Sequence, residues 1–168
     1  RPEGVKDLLP GLGVTRPHQV GVADLGYVVL GGGVAYLAVV MDLHTRKVLG
    51  VALGPRLSQG LALAALEMAL REGCPEVHHS DRGVQYTSRA YVERLLGLGV
   101  RLSYAGTGRP WENGHAERLI RTIKEEWVAL REYRTLAEAR ASVKAFVLEV
   151  YDRKRPHSAL GYLTPEAF

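Results

Sequence analysis

The sequence predicts an α/β domain built on a mixed five-stranded sheet flanked by helices on both faces. Two observations carry this. Between residues 19 and 53 three apolar runs are separated by turns of only a few residues, the pattern of an antiparallel meander. Beyond residue 57 helical and strand-like runs alternate, so that later strands join the sheet through helical crossovers.

Residues 1 to 18 hold three Pro and three Gly with no sustained periodicity and read as a linker or N-terminal arm; the core is expected over residues 19 to 168. Gln19 to Leu30 is a strand of mixed burial, and Gly31, Gly32 and Gly33 form the turn. Val34 to Asp42 (VAYLAVVMD) is almost wholly apolar, as for a strand covered on both faces. His44, Thr45, Arg46 and Lys47 make a polar turn, and Val48 to Leu53 is the third strand. The Ala- and Leu-rich segment Ser58 to Glu72 contains no Pro, has Ser58 as N-cap and stops at Gly73, so it is a helix. Glu76 to Ser80 is a short strand. Ser88 to Leu98 is a second helix closed by Gly99, and Val100 to Tyr104 is the fifth strand. A long helix is expected from about Gly114 to Leu130, and another from Thr135 to Arg153, opened by a capping-box pattern from Thr135 to Glu138. The order β-β-β-α-β-α-β-α-α is that of ribonuclease-H-like folds.

The 168 residues fit one core, and 46% hydrophobic with 24% charged residues excludes a disordered or coiled-coil chain. The single cysteine, Cys74, allows neither an internal disulfide nor a Cys-rich zinc site and fits a reducing compartment, so the expected location is cytoplasmic. No apolar run reaches the roughly 18 residues that cross a bilayer. The net charge of +4 lies wholly in the second half: residues 1 to 80 carry 7 basic and 7 acidic side chains, and residues 81 to 168 carry 15 and 11. A basic bias of this size is compatible with a polyanionic partner and does not establish one. The chain starts with Arg rather than Met, and a preceding segment is expected.

Three carboxylates stand out. Asp24 interrupts the first apolar strand, where an unpaired charge is costly unless it is paired or binds a cation; the alternative is a strand-end Asp capping a turn through Gly26. Asp81 follows the strand EVHHS, at the strand end where open α/β sheets place ligands, or else it simply forms the Asp-Arg-Gly turn. Glu117 lies in the first turn of the long helix, a position that also suits a solvated Glu. Together they sit on the three elements whose ends meet at one edge of a ribonuclease-H-like sheet. Hard oxygen donors converging there suit Mg²⁺ or Mn²⁺, and two such ions can serve phosphodiester chemistry.

Between Asp81 and Glu117 lie 35 residues, flanked by HHSDRGVQYTS (78 to 88), GRPWENGHAERLIRTIKEE (108 to 126) and YDRKRPHSALGYLTPEAF (151 to 168). With these segments the chain resembles, from about Gln19 onward, the DDE transposases of bacterial insertion sequences, in particular the IS-three group's orfB-type protein with its retroviral-integrase-like core. The resemblance implies that Asp24, Asp81 and Glu117 are the catalytic, metal-binding triad for Mg²⁺ or Mn²⁺. It implies a polynucleotidyl transferase that cleaves element ends and joins their 3′ hydroxyls to target DNA. It also implies a homo-oligomer on DNA, with terminal-repeat recognition supplied by a separate helix-turn-helix protein or an N-terminal domain. The family usually has Trp at the position of Gly21 and Thr at Ala23 and Gly26, so the first strand is expected to be looser here.

Helical spacing puts Asn113, Glu117, Arg121 and Lys124 on one stripe, with Arg121 and Lys124 free to hold DNA phosphates or Arg121 to pair with Glu117. Leu119, Ile120 and Ile123 face the core. His79, on the same strand face as Asp81, either touches the site or is hydrogen-bonded within the core; His78 is structural, and His44 and His115 are exposed. Trp111 either stacks on an unpaired base or packs its loop down. Arg153, Lys154 and Arg155 form a basic cluster suited to DNA backbone contact or to solvent. Two other functions compete: a ribonuclease-H-like nuclease acting on RNA-DNA hybrids, and a non-catalytic DNA-binding remnant of a mobile element.

Overall fold

The computed structural model describes residues 12–30, 33–105, 114–122 and 136–145. The sheet is formed by β1 (Val20–Leu30), β2 (Gly33–Asp42), β3 (Val48–Gly54), β4 (Val77–Ser80) and β5 (Arg101–Tyr104) in the order β3-β2-β1-β4-β5. β1, β2 and β3 pair antiparallel, whereas β4 joins β1, and β5 joins β4, in parallel. That switch follows from the connections, because the short links of two residues between β1 and β2 and five between β2 and β3 can only reverse the chain, while a helix returns it to the same end of the sheet. The mixed five-stranded sheet flanked by helices is therefore as the sequence implies.

The helices divide between the two faces. Val20, Val22 and Val28 of β1 pack with Leu119 and Ile120 of α4 (Gly114–Thr122) and with Ala139 and Val143 of α5 (Leu136–Ala145). From the opposite face Ala23, Ala38 and Val40 meet the Ala- and Leu-rich stripe of α1 (Gln59–Glu72), Tyr86 of α2 (Val84–Thr87), and Tyr91, Val92 and Leu95 of α3 (Arg89–Leu96). Alternation along β1 thus sends successive side chains into two separate cores.

Ser58 caps α1 as its sequence indicates, its Oγ accepting from the Leu61 N–H at 3.2 Å, and Gly73 ends the helix. Three details depart from expectation. The one-turn helix α2 was not expected. α3 stops at Leu96, with Gly97 rather than Gly99 as its cap, and Gly99 instead takes the left-handed φ of +76° that turns the chain into β5. β1 is not opened by its glycines: it pairs with β2 from Gly21 to Leu30 without a break. The expected continuations of α4 over 123–130 and of α5 over 146–153, with Ile123 and Thr135, lie outside the described residues.

Ahead of β1, residues 12–18 are tied to the sheet. The Gln19 amide bridges to Thr15 N–H and Gly13 C=O at 2.8 and 2.9 Å, and Asp42 accepts from His18 N–H at 2.7 Å. Leu12 and Val14 pack against the α4/α5-side core. Among the described residues no helix is long and apolar enough to cross a membrane.

Candidate active site

Asp24 lies within β1, not at its end, so the turn-capping alternative does not describe it; it stands opposite Val39 of β2 and is only 8% exposed. On its other side β1 runs parallel to β4 with Val22 matched to His79. Two residues further along both strands, that register brings Asp24 level with Asp81, at the carboxyl end of the parallel pair. Asp81 is exposed, and its Oδ1 accepts from the Gly83 N–H at 2.7 Å, so the turn foreseen at Asp-Arg-Gly does form and also fixes one carboxylate oxygen. Glu117 is exposed on the first turn of α4, whose Leu119 and Ile120 pack on the face of the sheet that Asp24 shares with Val20 and Val22.

These placements show in the electrostatics. The Asp24 carboxyl is pushed up to about 7, first by burial and further by the negative charges of Asp81 and Glu117, against a lowering contribution from the Leu25 N–H. Asp24 therefore lies in the field of both Asp81 and Glu117. Among the described residues no group of three or more His, Cys, Asp and Glu side chains forms a ready-made metal-ligand cluster. The donor set nevertheless suits a divalent cation, since three hard oxygen ligands carry mutual repulsion that such an ion would relieve.

Both histidines beside the site are taken up by the core. His79 is fully buried and its Nδ1 shares a 2.7 Å hydrogen bond with Ser103 Oγ. His78 Nε2 meets the Tyr91 hydroxyl at 2.7 Å, and burial, followed by the proximity of His79, holds its imidazole down at about 3, so it stays neutral. His44 is half-buried rather than exposed.

Arg121 is exposed in the last turn of α4 and makes no ion pair with Glu117 among the described residues. Trp111, Asn113, Lys124, Arg153, Lys154 and Arg155, and the side chain of His115, lie outside the described residues. A groove of about 740 Å³ between β3, α1 and α5 lies on the β3 side of the sheet, away from the carboxylates.

Sequence reasoning missed Tyr86. α2 begins directly behind Asp81, and its ring is buried against Tyr91, edge-on at 5.2 Å, and against His78 at 6.2 Å. Among the described residues the Tyr86 hydroxyl has no hydrogen-bond partner, and burial first, then Tyr91 and the charges of Asp24 and Asp81, raise its pKa. A phenol in a four-residue segment leaves no periodic signal that could have identified it. Tyr86→Phe is expected to raise stability by about 1 kcal/mol, a melting-temperature gain of roughly 2–4 °C, because it removes a buried, unmatched hydroxyl. Thermal melts of the two proteins check this, and a lower melting temperature for the variant would show that the hydroxyl is bonded in solution.

Comparison with known proteins agrees with this architecture. The sequence matches the integrase core domain family over residues 14–110, and a second description of the integrase core domain over residues 98–165. It is 36% identical over 157 residues to the insertion element IS600 uncharacterized 31 kDa protein of Shigella sonnei, covering 92% of this chain and 58% of that protein. It is 31% identical, again over 157 residues, to the transposase for insertion sequence element IS904 of Lactococcus lactis, covering 92% of this chain and 62% of that protein. The chain thus spans about three fifths of the length of these relatives. In structure it is similar to the HTLV-2 integrase catalytic core domain in complex with magnesium, with a TM-score of 0.70 over 89% of this chain and 95% of that one at 16% identity. On the strength of these matches and of the fold, the chain belongs to the integrase core domain family.

Proposed function

We propose that this domain is the catalytic core of a metal-dependent DNA transposase that cleaves element ends and joins the freed 3′ hydroxyls to target DNA. The observation that carries the reading is the buried Asp24 carboxyl, level with Asp81 and sharing its field with Asp81 and Glu117 at one end of the sheet. A carboxylate retained at that cost within a strand is explained by a cation it helps to hold.

Asp24, Asp81 and Glu117 would hold Mg²⁺ or Mn²⁺, one ion or a pair. When bound, such ions activate an attacking oxygen and stabilise the leaving oxygen of a phosphodiester. The rest falls to the chain. Asp24 is buried on β1 opposite Val39 of β2. The Gly83 N–H anchors one oxygen of Asp81 and leaves the other for ligation. Glu117 is carried by α4, whose packing sets its height above the sheet. Arg121, one turn further along that helix, is suited to hold a DNA phosphate beside the acidic site, and Lys124, Trp111, Arg153, Lys154 and Arg155 are proposed as further DNA contacts. The reaction has two displacements: water opens a phosphodiester at the element end, and the released 3′ hydroxyl then attacks a phosphodiester of the target. Because the relatives are longer than this chain, end recognition is assigned to a helix-turn-helix partner or an N-terminal domain, and assembly to a homo-oligomer on DNA.

Asp81→Asn and Glu117→Gln are each expected to reduce Mg²⁺- or Mn²⁺-dependent cleavage and strand joining on element-end oligonucleotides by at least a hundredfold, with unchanged circular dichroism. Activity retained by either folded variant would overturn the assignment. Cleavage confined to RNA-DNA hybrids would favour a ribonuclease-H-like nuclease.

A further inference from the structure

α4 approaches β1 tightly at a glycine. A Cβ built on Gly26 would fall 2.5 Å from Ile120 Cγ2 and 3.3 Å from Ile120 Cδ1, with Ile120 Cβ at 3.7 Å. The first distance is one that real Cβ atoms do not occupy, and the encroaching atom is the β-branch methyl, which has little freedom to rotate away in a helix. Gly26 and Ile120 therefore fit each other as knob and hole, and Ile120 is 6% exposed in that seat.

Two spacings connect this contact to the acidic site. Asp24 lies two residues before Gly26 on the same face of β1, and Glu117 lies three residues before Ile120, one turn away on the same side of α4. The strand pair Asp24 and Gly26 thus runs alongside the helix pair Glu117 and Ile120. Whatever sets the separation of Ile120 from β1 also sets the separation of Glu117 from Asp24.

We propose that Gly26 is a positioning residue, its missing side chain letting Ile120 seat α4 on β1 at the height that brings Glu117 to the carboxylates of Asp24 and Asp81. This rests on the acidic site being a divalent-cation site. Neither residue touches a reacting atom. A methyl group at position 26 displaces α4 outward by roughly 1 Å, the difference between 2.5 Å and an ordinary carbon–carbon contact, and a carboxylate moved by that much no longer completes a cation's coordination.

The test uses the full chain and Mn²⁺ as probe, with three variants: Gly26→Ala, Ile120→Ala and the two combined. In the double variant, of the three atoms nearest the new methyl only Ile120 Cβ remains, at the ordinary distance of 3.7 Å. Calorimetric titration is expected to show Gly26→Ala binding Mn²⁺ at least tenfold more weakly than wild type. The double variant is expected to recover to within about threefold, although it melts below wild type for lack of the Ile120 side chain. Affinity regained while stability is not is the signature of positioning, since a purely structural effect would make the two fall together. Unchanged Mn²⁺ affinity in Gly26→Ala, or no recovery in a folded double variant, overturns the proposal. If wild type binds no Mn²⁺, it is the cation-site reading that fails. Methyl–methyl nuclear Overhauser contacts between α4 and β1 in the metal-free proteins then decide the positioning claim, which an unmoved helix in Gly26→Ala overturns.

Discussion

Asp24→Asn is expected to make the metal-free protein more stable at pH 8 while removing the metal-dependent chemistry proposed for it. The sign follows from the direction of the shift. The Asp24 carboxyl titrates at about 7 in the folded protein against an ordinary value of 3.8, so the native state holds its proton more tightly than the unfolded chain does. Its contribution to stability is full below about pH 3.8, declines as pH rises and is lost above about pH 7, where a buried anion remains. A separation of about three pH units corresponds to about 4 kcal/mol as an upper bound, reduced because Asn also has buried polar atoms to satisfy. A net gain of about 2 kcal/mol raises the melting temperature by roughly 4–8 °C. Melts in chelator at pH 5 and pH 8 check this: the wild type loses stability between the two relative to the variant. Added Mg²⁺ should then stabilise the wild type at pH 8 and leave Asp24→Asn unmoved, because an ion that binds only the native state shifts unfolding by mass action. Identical pH dependence in the two proteins would falsify the buried-anion account. Stabilisation of both by Mg²⁺ would remove Asp24 from the ligand set.

Much of this site is legible in the sequence because its parts lie on elements with strong local signals. An Asp inside an apolar strand, an Asp closing a strand before Gly, and a Glu in a first helical turn each announce their own setting, and the strand order then sets β1 beside β4. Less visible is everything that depends on distance between elements. That Asp24 feels both Asp81 and Glu117 follows from the parallel register of β1 with β4 and from the seating of α4, and neither is written in any single segment. α2 went unseen for a different reason: four residues are too few for a helical period, and the turn is held by the Gly83 carbonyl accepting from the Tyr86 and Thr87 N–H groups. The end of α3 was misplaced because the segment Gly97-Leu98-Gly99 offers two stops, and only the backbone shows that the first caps the helix while the second takes the left-handed turn. Glycines were the least readable of all. Composition ranks Gly21 and Gly26 alike as weak points of a strand, whereas their surroundings are opposite: a Cβ at Gly21 would meet Pro75 and Val40 at an ordinary 3.7 Å, and one at Gly26 would strike Ile120.

Gly50 takes that distinction to its limit, and Gly50→Ala is expected to be the most destabilising single-methyl change among the described strands. Gly50 lies on β3 beneath α1, beside the irregularity at which Val40 pairs with Gly50 and Met41 with Val48, leaving Leu49 as the extra residue. A Cβ there would sit 2.0 Å from the Ala65 carbonyl oxygen, 2.9 Å from its carbon and 3.2 Å from the Ala69 nitrogen. All three are helix backbone atoms, so no side chain can turn aside and α1 itself must lift. Lifting it parts the whole core face that Leu61, Ala62, Ala65, Leu66 and Ala69 make with β2 and β3, and the small residues on α1 are what allow the two backbones to approach so closely. Overpacking against immobile backbone falls at the severe end of core substitutions, about 3–5 kcal/mol, enough to lower the melting temperature by roughly 10 °C or more. Gly21→Ala is the matched control: its methyl finds room in the same sheet, and it is expected to be neutral or to raise stability by up to about 1 kcal/mol through the unfolded chain. Denaturant melts of both variants decide the matter. Equal loss from the two would mean that strand glycines weaken this protein through backbone freedom alone, and that the approach of α1 to β3 has slack that the packing at Gly50 does not indicate.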